Sequence, residues 1–285
     1  MMRRVLLGVV VVLAFASDLS AEDVAAKPHR IVSLNLCADE LVLRLADREN
    51  VASVTWLSRD PNNSNVSELA EEVPINHGLA EEIIPLSPDL VIAGIHTTRT
   101  AVALLKRVHF PLIELEVPLN LHEVRAQIRQ VADAIGETER GERVVADMDV
   151  RLASITRPAP EKRLRALVLN PNGFTTGAGS LVDDIITTAG LTNLATGTGL
   201  GNYARIPLEN VVMSDPDVLI LNGRRDGPPS LATELLQHPV LSTLPLTRTI
   251  VLPSRLWVCG GPAIVDAIEL LSHFKTEAPV KGAAE

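Results

Sequence analysis

Short aliphatic runs and helical stretches alternate along the chain. Arg30-Ile31-Val32-Ser33-Leu34 is an apolar run of strand length, and Ala38–Ala46 follows with Leu41, Val42 and Leu45 on one helical face. Asp89-Leu90-Val91-Ile92-Ala93 and Pro111–Glu116 read as further buried strands, with Thr100–Arg107 as the helix between them. Apolar strands separated by helices belong to parallel α/β layers covered on both faces.

The second half repeats the scheme. Arg165-Ala166-Leu167-Val168-Leu169-Asn170 mirrors Arg30-Ile31-Val32-Ser33-Leu34-Asn35. The segment from Ala80 to Ile92 aligns without gaps to the segment from Leu208 to Ile220, each a short helix stopped by a Pro-Asp turn before a buried strand. Two such copies predict two similar lobes, over residues 29–136 and 160–278.

Between them Leu121–Thr156 is helix-permissive and divided by Gly136. In the second piece Val144, Val145, Met148, Leu152 and Ile155 recur at three- and four-residue intervals. A backbone helix over 137–157 is therefore expected to run between the lobes and end in the stiff exit Arg157-Pro158-Ala159-Pro160. Such a strut restrains the lobes to a small hinge motion.

The first residues change the cellular picture. Met1-Met2-Arg3-Arg4 precedes an apolar run from Val5 to Ala16, the layout of a secretory signal peptide with cleavage after Ala16 or Ala21. That run is shorter than the roughly 20 residues that span a bilayer. Residues 1–21 read as a leader and 279–285 as an unstructured tail. Without its leader the chain loses two arginines and one aspartate, so its formal charge moves from −9 to −10. An acidic surface without basic runs does not suit nucleic acid, whose binding depends on neutralising phosphate. Aromatic residues make up 2% of the chain, so the core must be aliphatic and each ring is informative.

In their order and spacing, the Arg30–Leu34 strand, the helix from Ala38, Ser87-Pro88-Asp89-Leu90-Val91-Ile92, the backbone helix, the second Pro-Asp repeat and Gly260-Gly261-Pro262 resemble the type III periplasmic binding proteins of iron-chelate and cobalamin importers. The resemblance runs from residue 29 to about residue 274. It implies two Rossmann-like α/β lobes joined by one long helix, with a ligand cleft between them lined by loops at the carboxyl ends of the strands. Both tryptophans and the only tyrosine fall in those loops. Trp56, Tyr203 and Trp257 match aromatic positions of the cobalamin-binding member, and Phe174 joins them. His77, His96, Arg99, Arg205 and Arg255 are candidate polar contacts, arginine being suited to an anionic chelate.

The implied function is periplasmic capture of a ferric siderophore or a cobalamin-type corrinoid and its delivery to an ABC importer. Haem or a metal ion is the alternative cargo. No resident cofactor or metal site is expected, because the metal arrives inside the ligand. Glu81 and Glu209, at the same place in the two repeats, match the glutamates that dock family members onto a permease dimer, with Glu82 as an alternative in the first lobe. The receptor itself is expected to be a monomer.

Cys37 and Cys259 depart from the family pattern. A disulfide across the lobes, two thiolates for a soft metal and two unpaired small residues all remain open. An enzyme is disfavoured, since there is no Gly-x-Ser-x-Gly elbow and Gly197-Thr198-Gly199-Leu200-Gly201 follows no strand directly. Asp183-Asp184 reads as the solvated face of the helix that begins at Ser180.

Overall fold

The computed structural model describes residues 27–97, 99–155, 159, 163–198, 201–222, 230–244 and 248–273. The expected leader and tail, Arg157, Pro158 and Pro160 of the stiff exit, and Gly199 and Leu200 of the glycine run lie outside the described residues.

The N-terminal half runs β1 (Ile31–Ser33), α1 (Leu36–Leu45), β2 (Val51–Thr55), α2 (Ser67–Ala70), β3 (Ile75–Asn76), α3 (Ala80–Ile83), β4 (Leu90–Gly94), α4 (Arg99–Arg107) and β5 (Leu112–Leu115). Its five strands lie in the order β3-β2-β1-β4-β5, all parallel. Two helices follow, α5 (Leu121–Ala134) and α6 (Thr138–Ala153). The C-terminal half runs β6 (Arg165–Leu169), β7 (Phe174–Thr175), α7 (Leu181–Thr188), β8 (Thr192–Asn193), β9 (Ala204–Arg205), α8 (Leu208–Met213), β10 (Val218–Asn222), α9 (Leu231–Glu234), β11 (Arg248–Leu252) and α10 (Ile264–His273). Its main sheet has the parallel order β11-β10-β6-β8, and β7 pairs antiparallel with β9.

The sequence repeat is also a repeat of fastenings. The Asp89 carboxylate accepts from the backbone N–H groups of His29 and Arg30, and the Asp217 carboxylate accepts from Arg165 N and Nε. Ser87 and Asp215, two residues before each of these, both turn the chain through left-handed backbone, at φ 46° and 44°. Buried Asn76 and Asn193 sit at the ends of β3 and β8, where each side chain donates to a neighbouring backbone carbonyl.

The expected strut is α6, which leaves the N-terminal half where Arg140 donates to Asp47 and reaches the C-terminal half where Arg151 donates to Asp266 and Glu269. Gly136, at φ 71°, reverses the chain, so α5 and α6 pack as an antiparallel hairpin. Ion pairs Arg129–Glu142 and Arg125–Asp149 cross it. Near the turn a Cβ on Gly141 would fall 2.4 Å from the Ala132 methyl, so only glycine lets the helices approach this closely. The 16 residues of α6 extend about 24 Å, shorter than expected. Val145, Met148 and Leu152 are buried as the periodicity predicts.

The halves also share an interior. One apolar cluster takes in Leu41 and Val42 of α1, Ile128 of α5, Met148 of α6, Val168 of β6 and Ile268 of α10. Separate smaller clusters cover the outer face of each sheet. The halves are therefore tied by common packing as well as by the linking helices. Among the described residues no helix is long and apolar enough to cross a membrane.

Candidate functional site

A cleft of about 310 Å³ opens between the halves. The N-terminal half contributes Asn35, Cys37, residues 94–96 and 115–119, and Gln127; the C-terminal half contributes Thr176, residues 180–182, Asn202, Tyr203, Trp257, Val258 and Gly260. Several of these follow the carboxyl ends of β1, β4, β5 and β11, where α/β sheets characteristically present ligand loops.

Local chemistry explains the placement. Asn35 caps α1, its side-chain oxygen accepting from Cys37 N at 2.9 Å and Ala38 N at 3.3 Å. Gly94 closes against it, because a Cβ there would lie 3.1 Å from Asn35 Nδ2. The Thr97 hydroxyl accepts from Gly94 N at 2.8 Å, turning the chain so that His96 is exposed at the cleft.

On the opposite wall the β7–β9 ribbon pairs Phe174 with Arg205 and Thr175 with Ala204. Tyr203 stacks on Phe174 with centroids 4.7 Å apart and planes 7° apart. The Arg205 guanidinium covers the Phe174 ring at 5.6 Å, and its Nε donates to Asn172 O. Tyr203 thus meets the cleft backed by a ring and a cation, while Phe174 and Arg205 stand behind it outside the lining.

Trp257 is a wall built into the core. It is 4% exposed, and its indole N–H donates to Asn222 Oδ1 at 3.3 Å, an oxygen that also accepts from the Ser254 hydroxyl at 2.8 Å. Truncating it is therefore a stability lesion, contrary to what a ring in a binding loop suggests.

Trp56 does not line the cleft. It is 50% exposed and stacks on His77 at 6.4 Å, and His77 Nδ1 lies 2.9 Å from Glu82. Arg99 is exposed at the start of α4, also outside the lining. Arg255 is committed elsewhere, its Nη1 donating to Asn65 Oδ1 at 3.0 Å across the halves. Glu81 and Glu209 are exposed in the first turns of α3 and α8.

Of the three states left open for the cysteines, the structure has the disulfide: Cys37 and Cys259 are bonded, with Cα atoms 5.1 Å apart. Asp184 departs from its expected solvated role, because its carboxylate accepts from Leu121 N at the head of α5, at 2.7 Å. Sequence reasoning missed Gln127 and the 116–119 segment. The last follows β5, so the strand-end rule applied to β5 would have found it. Asn35 belongs to the loop after the first strand, one of the loops expected to line the cleft, and there it also caps α1.

Charge is buried beneath this face. Asp39 is fully buried, and burial pushes its carboxyl up to about 6 although hydrogen bonds from Ser33 and Thr55 pull it down. Burial also raises the Glu40 carboxyl, opposed by Arg44 and Asn65. Among the described residues no group of three or more His, Cys, Asp or Glu side chains could hold a metal ion.

Comparisons with known proteins agree with this architecture. A cobalamin-binding protein of Halobacterium salinarum, found in two strains, is 24% identical over 216 residues. The match covers 74% of this chain and 58% of the relative, so the chain spans little more than half the length of those curated proteins. Among solved structures, the periplasmic heme-binding protein RhuT from Roseiflexus sp. RS-1 in apo form has 25% identity and a TM-score of 0.69, covering 87% of this chain and 99% of that one. An ABC-type Fe3+-hydroxamate transport system protein from Saccharomonospora viridis has 23% identity and a TM-score of 0.67, covering 88% and 94%. Residues 31–249 match the model of the periplasmic binding protein family, a stretch that holds the five-stranded sheet, the helical hairpin, the four-stranded sheet up to the start of β11 and most of the cleft wall. The chain belongs to the periplasmic binding protein family.

Proposed function

We propose that this protein is an exported receptor that captures a metal chelate, a ferric siderophore or a cobalamin-type corrinoid, and delivers it to an ABC importer. The observation that carries this is the cleft between the two halves, walled by apolar segments and by Tyr203 on its backing ring. An exposed ring held at fixed tilt offers flat apolar contact to a large ligand at little entropic cost. The named ligands of the similar proteins are cobalamin, haem and a ferric hydroxamate.

The cleft volume lies at the small end of the roughly 300–1,000 Å³ typical of ligand sites. A chelate of this class stands proud of it. The end of β2 is one strand spacing, about 4.8 Å, from β1. The Trp56–His77 pair at that edge is then in reach of the protruding part.

Haem is a second reading with its own support. The lining holds one histidine and one tyrosine, His96 and Tyr203, from opposite halves, and both types ligate haem iron. On either reading, Glu81 and Glu209 dock the loaded receptor on the two subunits of a permease, two exposed carboxylates fixing its orientation. The apolar run after Arg4 serves as the export leader, and the receptor acts as a monomer without catalysis.

Native mass spectrometry of protein purified from its own periplasm tests the reading. A bound mass equal to a metal chelate is expected; recovery of a peptide or sugar would replace it. Charge reversal at Glu81 and Glu209 together should abolish uptake and spare binding, and normal uptake would remove their docking role.

A further inference from the structure

The segment 255–261 of the C-terminal half grips the N-terminal half at successive points. Cys259 is bonded to Cys37 at the head of α1. Arg255 donates to Asn65 through Nη1 at 3.0 Å and accepts from the Asn65 amide through its carbonyl. Gly260 is pressed on Pro118, where a Cβ would fall 2.2 Å from Cγ, and a Cβ on Gly261 would fall 3.1 Å from the buried Glu40 carboxyl carbon. Cys37, Val258 and Gly260 are themselves part of the cleft wall.

We propose that this segment and its disulfide form a strap that sets the width of the cleft, so that the site is preformed and selects ligands by thickness. The proposal rests on reading the cleft as a ligand site. A covalent bond leaves only its own torsions for relative motion, and Gly260, seated on Pro118 without room for a Cβ, together with Gly261 in close contact with Glu40, resists sliding of the segment. A site held at one width spends no binding energy on ordering itself, whereas an unstrapped cleft binds only from the fraction of molecules at the correct width.

The test compares the oxidised protein with Cys37→Ser/Cys259→Ser, by hydrogen exchange without ligand, at a temperature where near-ultraviolet dichroism shows both folded. Amides at 94–97 and 201–205, on the two walls, should exchange about tenfold faster in the variant through a local opening that low denaturant does not change, while those of β1 and β6 speed up only as the lower global stability requires and keep their denaturant dependence. Unchanged walls would overturn the strap, and so would wall exchange that rises with denaturant in step with β1 and β6, which is global unfolding rather than a looser cleft. If the variant does not fold, Asn65→Ala keeps the disulfide and removes the Arg255 bonds. It should loosen the same walls to a smaller degree, and unchanged exchange there counts equally against the strap. In parallel, haemin, cyanocobalamin and a ferric hydroxamate are titrated into the parent and the folded variant. A probe held by the parent should bind the variant about tenfold more weakly, and equal affinity would contradict the strap. A parent that binds none of the three overturns the receptor reading, while the exchange measurement still judges the strap.

Discussion

In the N-terminal half the tryptophan after a strand end, Trp56, is half exposed and leans on His77; in the C-terminal half Trp257 is buried and donates to Asn222. The two residues look alike in sequence, each in a loop at the cleft-facing edge of a parallel sheet. What separates them is what lies opposite. Trp257 joins the apolar cluster shared by both halves, while Trp56 faces solvent. The halves also differ in what they bury: Asp39 and Glu40 in the first, ring and aliphatic surface in the second. A common fastening plan, with Asp89 answering Asp217, thus carries two unlike interiors.

The bond that joins these unlike halves should show the largest effect. Cys37→Ser/Cys259→Ser opens a link across 222 residues, and chain entropy puts the loss near 5 kcal/mol, read as a lower denaturant midpoint. A loss under about 1 kcal/mol would mean that the shared core alone holds the halves together. Trp257→Ala comes next, costing about 4 kcal/mol through the cavity it leaves, against about 0.5 kcal/mol or less for exposed Trp56→Ala. Equal costs would erase the contrast between the two tryptophans.

Asp39 sharpens the difference in buried charge through pH. The unfolded carboxyl titrates near 3.8 and the folded one near 6, so between these values the folded state holds the extra proton. Stability from this group therefore falls as pH rises through that window and is level above it. Relative to Asp39→Asn, the parent should lose about 2 kcal/mol of unfolding free energy between pH 4 and 6. A constant difference would show that Asp39 is not desolvated. The smallest expected effect is on affinity: Tyr203→Ala should weaken ligand binding about tenfold, or about 1.4 kcal/mol, and Trp56→Ala less. A reversed order would move the main contact to the N-terminal edge.

The strands were legible because buried parallel strands are continuous apolar runs, as in Leu90–Gly94 and Val218–Asn222. The Pro-Asp repeat likewise marked the matching turns. The helical hairpin was not legible, since Gly136 reads equally as an interruption in a rod or as a reversal, and the Gly141–Ala132 approach decides it only in three dimensions. Of the residues expected in the cleft loops, His96, Tyr203 and Trp257 line the cleft between the halves. Arg255 and Asp184 were misread because their partners, Asn65 and Leu121, lie in the other half.

The central claim, that the cleft beside Tyr203 receives a metal chelate, is met most directly by titrating haemin, cyanocobalamin and a ferric hydroxamate into the parent and Tyr203→Ala. Saturable one-to-one quenching of tryptophan fluorescence by at least one of them, weakened in the variant, is the expected result. No binding by any of the three, or binding indifferent to Tyr203, would contradict it.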